Sequence, residues 1–227
     1  MLGAMIHARP LTRLLPRLAL AFAALLPLAA AAQEAPPPQG WMQVGPLPEG
    51  ETLNLRAAPS GEAPVVGTLP QGALAVSVGE RATSSVGWLR IAQGELQGWA
   101  AERFLRPAPI RTLDDAAFPV AGSCGGFEPM WSLRWTALEI TFERMDAPAA
   151  TRPVTRAIPA QGRISALLEA GADPAERWLF RYEDAQCFEL PLDAPVWGRG
   201  TLILTEGGVT RWLTGCCRPA PEAVAQP

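Results

Sequence analysis

The feature that most constrains this chain of 227 residues is a two-residue alternation of apolar and polar side chains between turn signals. In the segment LNLR, Leu53 and Leu55 alternate with Asn54 and Arg56, which is the period of a half-buried strand. A Pro-Ser-Gly turn follows at 59–61, and further short runs and turns continue to about residue 106. Five short strands are too few for two packed sheets, so we expect them to curl into a small barrel.

The expected core of this first unit consists of its inward-facing apolar side chains. They are Leu53, Leu55, Val66, Leu69, Val76, Leu89, Ile91 and Trp99.

The same alternation recurs in the second half of the chain. Trp131, Leu133 and Trp135 fall on one strand face, and the next strand carries Leu138, Ile140 and Phe142 on one face after a short turn. Another strand places Trp178, Phe180 and Tyr182 together, and a hairpin is expected around Gly207-Gly208. The run 164–169 fits a short helix or a strand equally well. The predicted fold is therefore all-β: a small barrel, then a second β-barrel or meander.

Composition shifts divide the chain. The Pro-, Gly- and Gln-rich residues 33–48 are expected to form an extended linker, and a second break falls around 107–115. The expected compact units are residues 49–106 and 117–218, and residues 219–227 are expected to be a disordered tail. No internal repeat relates the two units.

Residues 1–32 have the pattern of a secretory signal peptide. Three arginines precede the apolar run 18–28, and Ala30-Ala31-Ala32 offers a cleavage site before Gln33. The apolar run is shorter than the roughly 20 residues that a spanning helix needs. We expect a periplasmic or secreted protein with no integral membrane span after cleavage, and an uncleaved anchor is the alternative.

Export changes the interpretation of the four cysteines, Cys124, Cys187, Cys216 and Cys217. An even number in an exported chain favours two disulfides over free thiols. Because a bond between the adjacent Cys216 and Cys217 would be strained, we expect Cys124 and Cys187 each to pair with one of them. The sequence leaves open which cysteine takes which partner.

Composition also excludes several functions. The only histidine is His7, inside the expected signal peptide, and the chain has no lysine. Without the leader the remaining 16 arginines face 22 acidic residues, so a nucleic-acid interface, which needs a clustered basic face, is not expected.

The lack of an imidazole base also removes nucleophilic catalysis of the Ser-His-Asp or Cys-His kind. The cysteines lack the spacing of a zinc site, so no metal or other cofactor is expected. Adjacent acids at Asp114-Asp115 and Glu183-Asp184 are interpreted as solvated charges, and an enzyme that uses carboxylates alone is the least favoured class. We expect no catalytic residues and no enzymatic activity.

The segment LNLRAAPSGEAPVVGTLPQG, followed by GWLRI and QGWAAERFL, resembles the bacterial SH3-like (SH3b) domain. The resemblance covers nearly the whole first unit and implies a small barrel that binds a peptide in a shallow aromatic groove. Trp88 is the main candidate for that groove, with Trp99 as a second aromatic. Asn54 and Arg56 lie on the polar face of the first strand and could supply hydrogen bonds.

The second unit resembles an uncharacterised family of bacterial envelope domains. The family pattern opens C-x-G-T-E-P-F-W, has a middle cysteine and ends L-x-G-C-C; here the opening is CGGFEPMW at 124–131 and the end is LTGCC at 213–217. Phe127 and Met130 depart from the usual Thr and Phe, and the polar run after the middle cysteine is missing. No biochemical function comes with this resemblance.

Glu128 and Trp131 are the candidate ligand-binding residues of this unit. Glu128 lies in an apolar segment where a carboxylate is costly unless paired, so it is either a ligand contact or a partner for an arginine such as Arg134. Together these features predict an exported, non-enzymatic binding protein of the bacterial cell envelope, with a peptidoglycan peptide or an envelope protein as its partner. The alternative is a periplasmic protein inhibitor of a cell-wall hydrolase, similar to the small lysozyme inhibitors.

Overall fold

The computed structural model describes residues 37–83, 86–113, 118–161, 165–189 and 193–225. Residues 36–227 belong to one compact unit, which contains a seven-stranded sheet followed by a closed eight-stranded barrel. The fold is all-β, as the alternation predicts. The expected signal peptide and the Asp114-Asp115 pair lie outside the described residues.

The first sheet is antiparallel, with strand order β3-β2-β6-β5-β4-β1-β7. Its strands are β1 (Gln39–Val44), β2 (Thr52–Arg56), β3 (Val65–Pro70), β4 (Leu74–Thr83), β5 (Gly87–Gln93), β6 (Leu96–Ala101) and β7 (Leu105–Pro107). A single 3₁₀ turn at Glu102–Phe104 joins β6 to β7. The sheet therefore contains seven strands, where the sequence predicts five.

Strand β1 corrects the expectation that residues 33–48 form a linker. Residues Gln39–Val44 pair with β4 on one side and with β7 on the other, so the strand lies inside the sheet. The reason is burial: Met42 and Val44 are almost fully buried and belong to the core cluster of this sheet. The alternation of apolar and polar residues in β1 covers only three apolar positions, and the proline-rich residues around it are typical of a linker, so the sequence does not indicate this strand.

The core of the first sheet agrees with most of the expected positions. Leu53, Leu55, Leu69, Leu89 and Ile91 form its centre together with Ala75, Ala100 and the two β1 side chains. Two other expectations are not met. Val66 is 46% exposed and Trp99 is only half-buried, the latter because it faces away from the cluster on β6.

The barrel is an antiparallel meander that closes when β15 pairs with β8. Its strands are β8 (Gly122–Gly126), β9 (Trp131–Trp135), β10 (Glu139–Arg144), β11 (Ala147–Pro159), β12 (Ser165–Ala170), β13 (Trp178–Glu189), β14 (Ala194–Glu206) and β15 (Val209–Pro219). The run that fits either a helix or a strand is therefore strand β12. The expected hairpin at Gly207-Gly208 is a two-residue turn with positive φ at both glycines, which fits the right-handed twist of the flanking strands.

Aromatic side chains fill the barrel. Trp131, Leu133 and Trp135 are buried as predicted, as are Trp178, Phe180 and Tyr182 on β13. Phe118, from the segment before β8, packs edge-on against both Trp135 and Phe180, with ring centroids 5.5 Å apart in each case. Leu138, expected on the buried face with Ile140, is instead 79% exposed in the turn before β10.

Both expected disulfides are present. Cys124 bonds Cys217, and Cys187 bonds Cys216, so each isolated cysteine pairs with one member of the adjacent pair. The described part of residues 219–227 is also ordered against the body, which corrects the expected disordered tail. Ala223 and Val224 are buried, and Ile110 forms a β-bridge with Val224.

The first sheet and the barrel contact one another through β1, β4 and β5 of the sheet and β13 and β14 of the barrel. The Trp41 indole Nε1 donates a 2.5 Å hydrogen bond to the carbonyl oxygen of Trp197 on β14. No helix among the described residues combines the length and the apolar character needed to cross a membrane.

Candidate functional site

Four of the predicted binding residues lie on one face of the first sheet. Arg56 on β2 is the register partner of Trp99 on β6, and Trp99 is in turn opposite Arg90 on β5. Directly paired strand residues point to the same side of a sheet, and so do residues two apart. Asn54 and Trp88 therefore share this face with Arg56 and Trp99, opposite the core.

An open groove of about 810 Å³ lies at one end of this face, where β2 approaches the start of β5 and the end of β6. Asn54, Arg56 and Trp88 all line it, whereas Trp99 lies beside it. The structure thus brings three of the four residues into one concave site. Trp88 is only 7% exposed, so most of its indole is buried behind the groove lining.

Arg56 positions one wall of the groove. Its Nη1 donates a 2.7 Å hydrogen bond to the carbonyl oxygen of Ala63, across the turn that joins β2 to β3. That turn supplies Pro59, Ser60 and Gly61 to the groove lining. The Arg56 guanidinium therefore holds the loop between β2 and β3 in place beside the groove.

Asn54 is the more accessible polar group. Its side chain is exposed at the groove, and among the described residues its amide makes no hydrogen bond. The amide can both donate and accept, which is suitable for pairing with a peptide backbone.

Charges of both signs line the groove, in addition to the residues predicted from the sequence. Glu51 and Glu62 supply carboxylates, and Arg103 lies with its guanidinium 4.5 Å above the Phe104 ring. These residues are far from one another in the chain except for Arg103 and Phe104. The RF pair within ERFL, directly after the last long strand, was the one local signal available.

Glu128 and Trp131, the other two predicted binding residues, lie in a separate cleft on the barrel. That cleft is also lined by Cys187 and Cys216. Glu128 is exposed, so its carboxylate does not need a buried partner such as Arg134. Arg134 instead forms an ion pair with Glu143 at 2.5 Å. Trp131 is 4% exposed and forms the floor of the cleft.

The three residues whose pKa values are clearly shifted, Glu176, Tyr182 and Asp184, line neither the groove on the first sheet nor the cleft on the barrel. Asp184 is an exposed residue whose carboxyl is partly desolvated, and this desolvation raises the pKa of the carboxyl above its ordinary value of 3.8. A hydrogen bond from the Trp197 side chain partly opposes that shift. Burial, and then the charge of Asp184, raise the pKa of the Tyr182 hydroxyl. A hydrogen bond from the Gly207 backbone, then Arg152, lowers the pKa of Glu176 below 4.5.

Within the described ranges no three His, Cys, Asp or Glu side chains cluster closely enough to hold a metal ion. The groove therefore offers hydrogen bonds, single charges and apolar contact. These are the means of binding a flexible polar ligand.

Nearly all residues that line the groove lie in a segment that matches a known domain family. Residues 51–106 match the bacterial SH3 domain family, whose members are binding domains. The match covers about a quarter of the chain and includes every strand from β2 to β6. No curated protein and no solved structure matches this chain. The resemblance of the barrel to an envelope family has no such support.

Proposed function

We propose that this chain is an exported, non-enzymatic binding protein of the bacterial cell envelope whose SH3 domain binds a peptide of the cell wall. The observation that carries the proposal is the groove between β2, the start of β5 and the end of β6, almost entirely within the segment that matches the bacterial SH3 family. Asn54 and Trp88 are its central contacts. Arg56 acts as a positioning residue for the loop at 57–64.

The charges of the groove support a cell-wall peptide as the ligand. Such peptides carry free carboxylates and amines on short side chains, and the groove holds Arg103 together with Glu51 and Glu62. Opposite charges at a partly exposed site add modest affinity, but they fix the orientation and register of a ligand. A ligand with charges of both signs matches this lining better than a uniformly charged polymer does.

Export is supported by two independent features. The leader pattern of residues 1–32 belongs to secreted proteins, and two disulfides persist in oxidising compartments and are rare in the cytosol. The bacterial SH3 match is compatible with an extracytoplasmic place of action. The periplasm, or the medium beyond it, is the compartment in which cell-wall peptides are accessible.

Retention on purified peptidoglycan tests the proposal. We expect the purified protein to sediment with intact sacculi and to lose that retention when an amidase removes the peptides from the glycan strands. Asn54→Ala should weaken retention about fivefold, since it removes hydrogen bonds worth roughly 1 kcal/mol. Trp88→Phe, which keeps most of the buried ring, should weaken it as well.

Gln97→Ala is the matched control. Gln97 is another exposed amide on a strand of the same sheet, but it does not line the groove. It should leave retention unchanged. Retention that survives removal of the peptides, or that falls equally in Asn54→Ala and Gln97→Ala, would contradict the proposed ligand and site.

A further inference from the structure

A second concavity lies on the barrel, far along the chain from the SH3 groove. It has a volume of about 500 Å³ and is bounded by the segment after β8, the end of β13 and the middle of β15. Its lining includes Glu128, Trp131 and the Cys187–Cys216 disulfide. We refer to it as the barrel cleft.

Large apolar side chains stand exposed around the barrel cleft. Phe127 and Met130, in the turn between β8 and β9, are 43% and 51% exposed, and Phe188 at the end of β13 is 53% exposed. Phe127 and Phe188 both line the cleft. Exposed apolar side chains grouped at the mouth of a concavity are typical of interaction sites, because water solvates them poorly and a partner can cover them.

The charged groups of the barrel cleft differ in whether they are already engaged. Glu189 forms an ion pair with Arg218 at 2.5 Å, and Arg199 donates a 3.1 Å hydrogen bond to the carbonyl oxygen of Gln186. Glu128 has no hydrogen bond or ion pair to any described residue. The Glu128 carboxylate is therefore unpaired next to the apolar side chains, and the Arg199 guanidinium keeps a positive charge with no carboxylate partner among the described residues.

The walls of the cleft are held before any ligand arrives. The Cys187–Cys216 disulfide fixes the end of β13 to β15, and Gly126 on β8 pairs directly with Trp131 on β9. Trp131 packs against Phe142 inside the barrel, with ring centroids 6.2 Å apart. A preformed site loses less conformational entropy on binding than a flexible one, which favours affinity from a small contact area.

We propose that the barrel cleft is a second binding site and takes a peptide segment of a protein partner in which a Lys or Arg adjoins an apolar residue. The cation pairs with Glu128, and the apolar neighbour packs on Phe127 and Phe188. This site is independent of the SH3 groove and of the cell-wall ligand proposed for it. It gives the protein two separate recognition surfaces.

Selection from a random heptapeptide library displayed on phage tests the site without assuming a sequence. Peptides enriched on the full-length protein should contain Lys or Arg next to a large apolar residue, and Glu128→Gln should remove that enrichment. Glu139→Gln is the matched control, since Glu139 is an exposed glutamate on β10 that does not line the cleft. Asn54→Ala should leave this enrichment intact, which separates the barrel cleft from the SH3 groove.

Titration of one selected peptide then measures the charge contribution. Replacing its cation by Gln should weaken binding to the wild-type protein about two- to fivefold, as expected for a partly exposed ion pair, and should not affect binding to Glu128→Gln. Phe127→Ser should weaken binding to the cleft, whereas Leu138→Ser, at an exposed leucine elsewhere on the barrel, should not. Enrichment without a cation preference, or a preference that persists in Glu128→Gln, would overturn the proposal.

Discussion

Cys216 and Cys217 are neighbours on strand β15, yet their disulfides serve different parts of the barrel. Cys217 lies in the barrel core and bonds Cys124, its direct register partner on β8. Cys216 bonds Cys187 and lines the surface cleft with it. Successive side chains of a strand point to opposite faces, so two adjacent cysteines can each reach a separate partner but reach each other only with strain.

The two disulfides should differ in their contribution to stability. Cys124–Cys217 spans 93 residues and Cys187–Cys216 spans 29, and constraint of the unfolded chain scales with loop length. The corresponding estimates are about 4.6 and about 3.6 kcal/mol. In urea unfolding, the Cys124→Ala/Cys217→Ala variant should therefore lose more stability than the Cys187→Ala/Cys216→Ala variant. The cavity that the first variant leaves in the core should further increase this difference in the free energy of unfolding. Equal losses, or the reverse order, would contradict this assignment of roles.

Two buried tryptophans provide a test of barrel packing. Trp135 Nε1 donates a 2.8 Å hydrogen bond to the carbonyl oxygen of Pro119, whereas the fully buried Trp178 Nε1 has no acceptor among the described residues. Both Trp→Phe changes remove a similar side-chain volume. Only Trp135→Phe also removes a hydrogen bond, because it leaves the carbonyl oxygen of Pro119 without its Trp135 donor. We expect Trp135→Phe to cost about 1 kcal/mol more than Trp178→Phe in free energy of unfolding. If Trp178→Phe lowers the free energy of unfolding more than Trp135→Phe does, the hydrogen bond does not explain the difference between the two variants.

Met42 tests whether the segment before the SH3 domain is a strand or a linker. Met42 is 2% exposed in the core of the first sheet, so Met42→Ala should lower the free energy of unfolding by about 3 kcal/mol. Met145 is 83% exposed in a barrel turn and is the matched control, for which Met145→Ala should change stability by less than about 0.5 kcal/mol. A linker role for residues 33–48 predicts that both changes are neutral.

Glu176 and Asp184 should give stability opposite dependences on pH. The pKa of Glu176 is lowered in the folded protein by Gly207 N–H and Arg152, so its contribution is present above the ordinary value of 4.5 and is lost as pH falls through the lowered pKa. The pKa of Asp184 is raised by partial desolvation, so its ionised form disfavours folding at neutral pH. That penalty disappears as pH falls through the raised pKa toward 3.8.

Urea unfolding at a series of pH values measures both effects. Glu176→Gln should be less stable than wild type at pH 7 and should approach it in acid. Asp184→Asn, which keeps an acceptor for Trp197, should be more stable than wild type at pH 7, and this advantage should shrink as pH falls through the raised pKa of Asp184 and be lost below the ordinary value of 3.8. Parallel curves for either variant and wild type would show that the corresponding group does not titrate differently on folding.

Local patterns predicted much of the fold. The alternation around Leu53 and around Trp131 identifies strands, because a sheet with one buried face needs apolar side chains at every second residue. The pair Gly207-Gly208 predicts a tight hairpin because both turn positions require positive φ. The stapling of Cys124 and Cys187 to the adjacent cysteines was also predicted, since it depends only on strand geometry and on the strain of the alternative.

The candidate sites were predicted less completely. The family resemblance pointed to Asn54, Arg56 and Trp88, which share one groove, but not to Glu51, Glu62 or Arg103 in its lining. Glu128 was expected to be either a ligand contact or the partner of an arginine such as Arg134, because its neighbours in sequence are apolar. The neighbours in sequence did not show that the turn between β8 and β9 projects into solvent, where a carboxylate needs none.

The sequence by itself determined strands β2 to β6, the strands around Trp131, Ile140 and Trp178, the turn at Gly207-Gly208 and the match of residues 51–106 to the bacterial SH3 family, because each depends on residues close together in the chain. Only the tertiary structure decided which cysteine bonds which, that β1 enters the first sheet, and that the barrel closes through β15 and β8. These features depend on pairing between residues up to about a hundred positions apart. Such pairing is selected by the packing of the whole core, and no local period in the sequence specifies it.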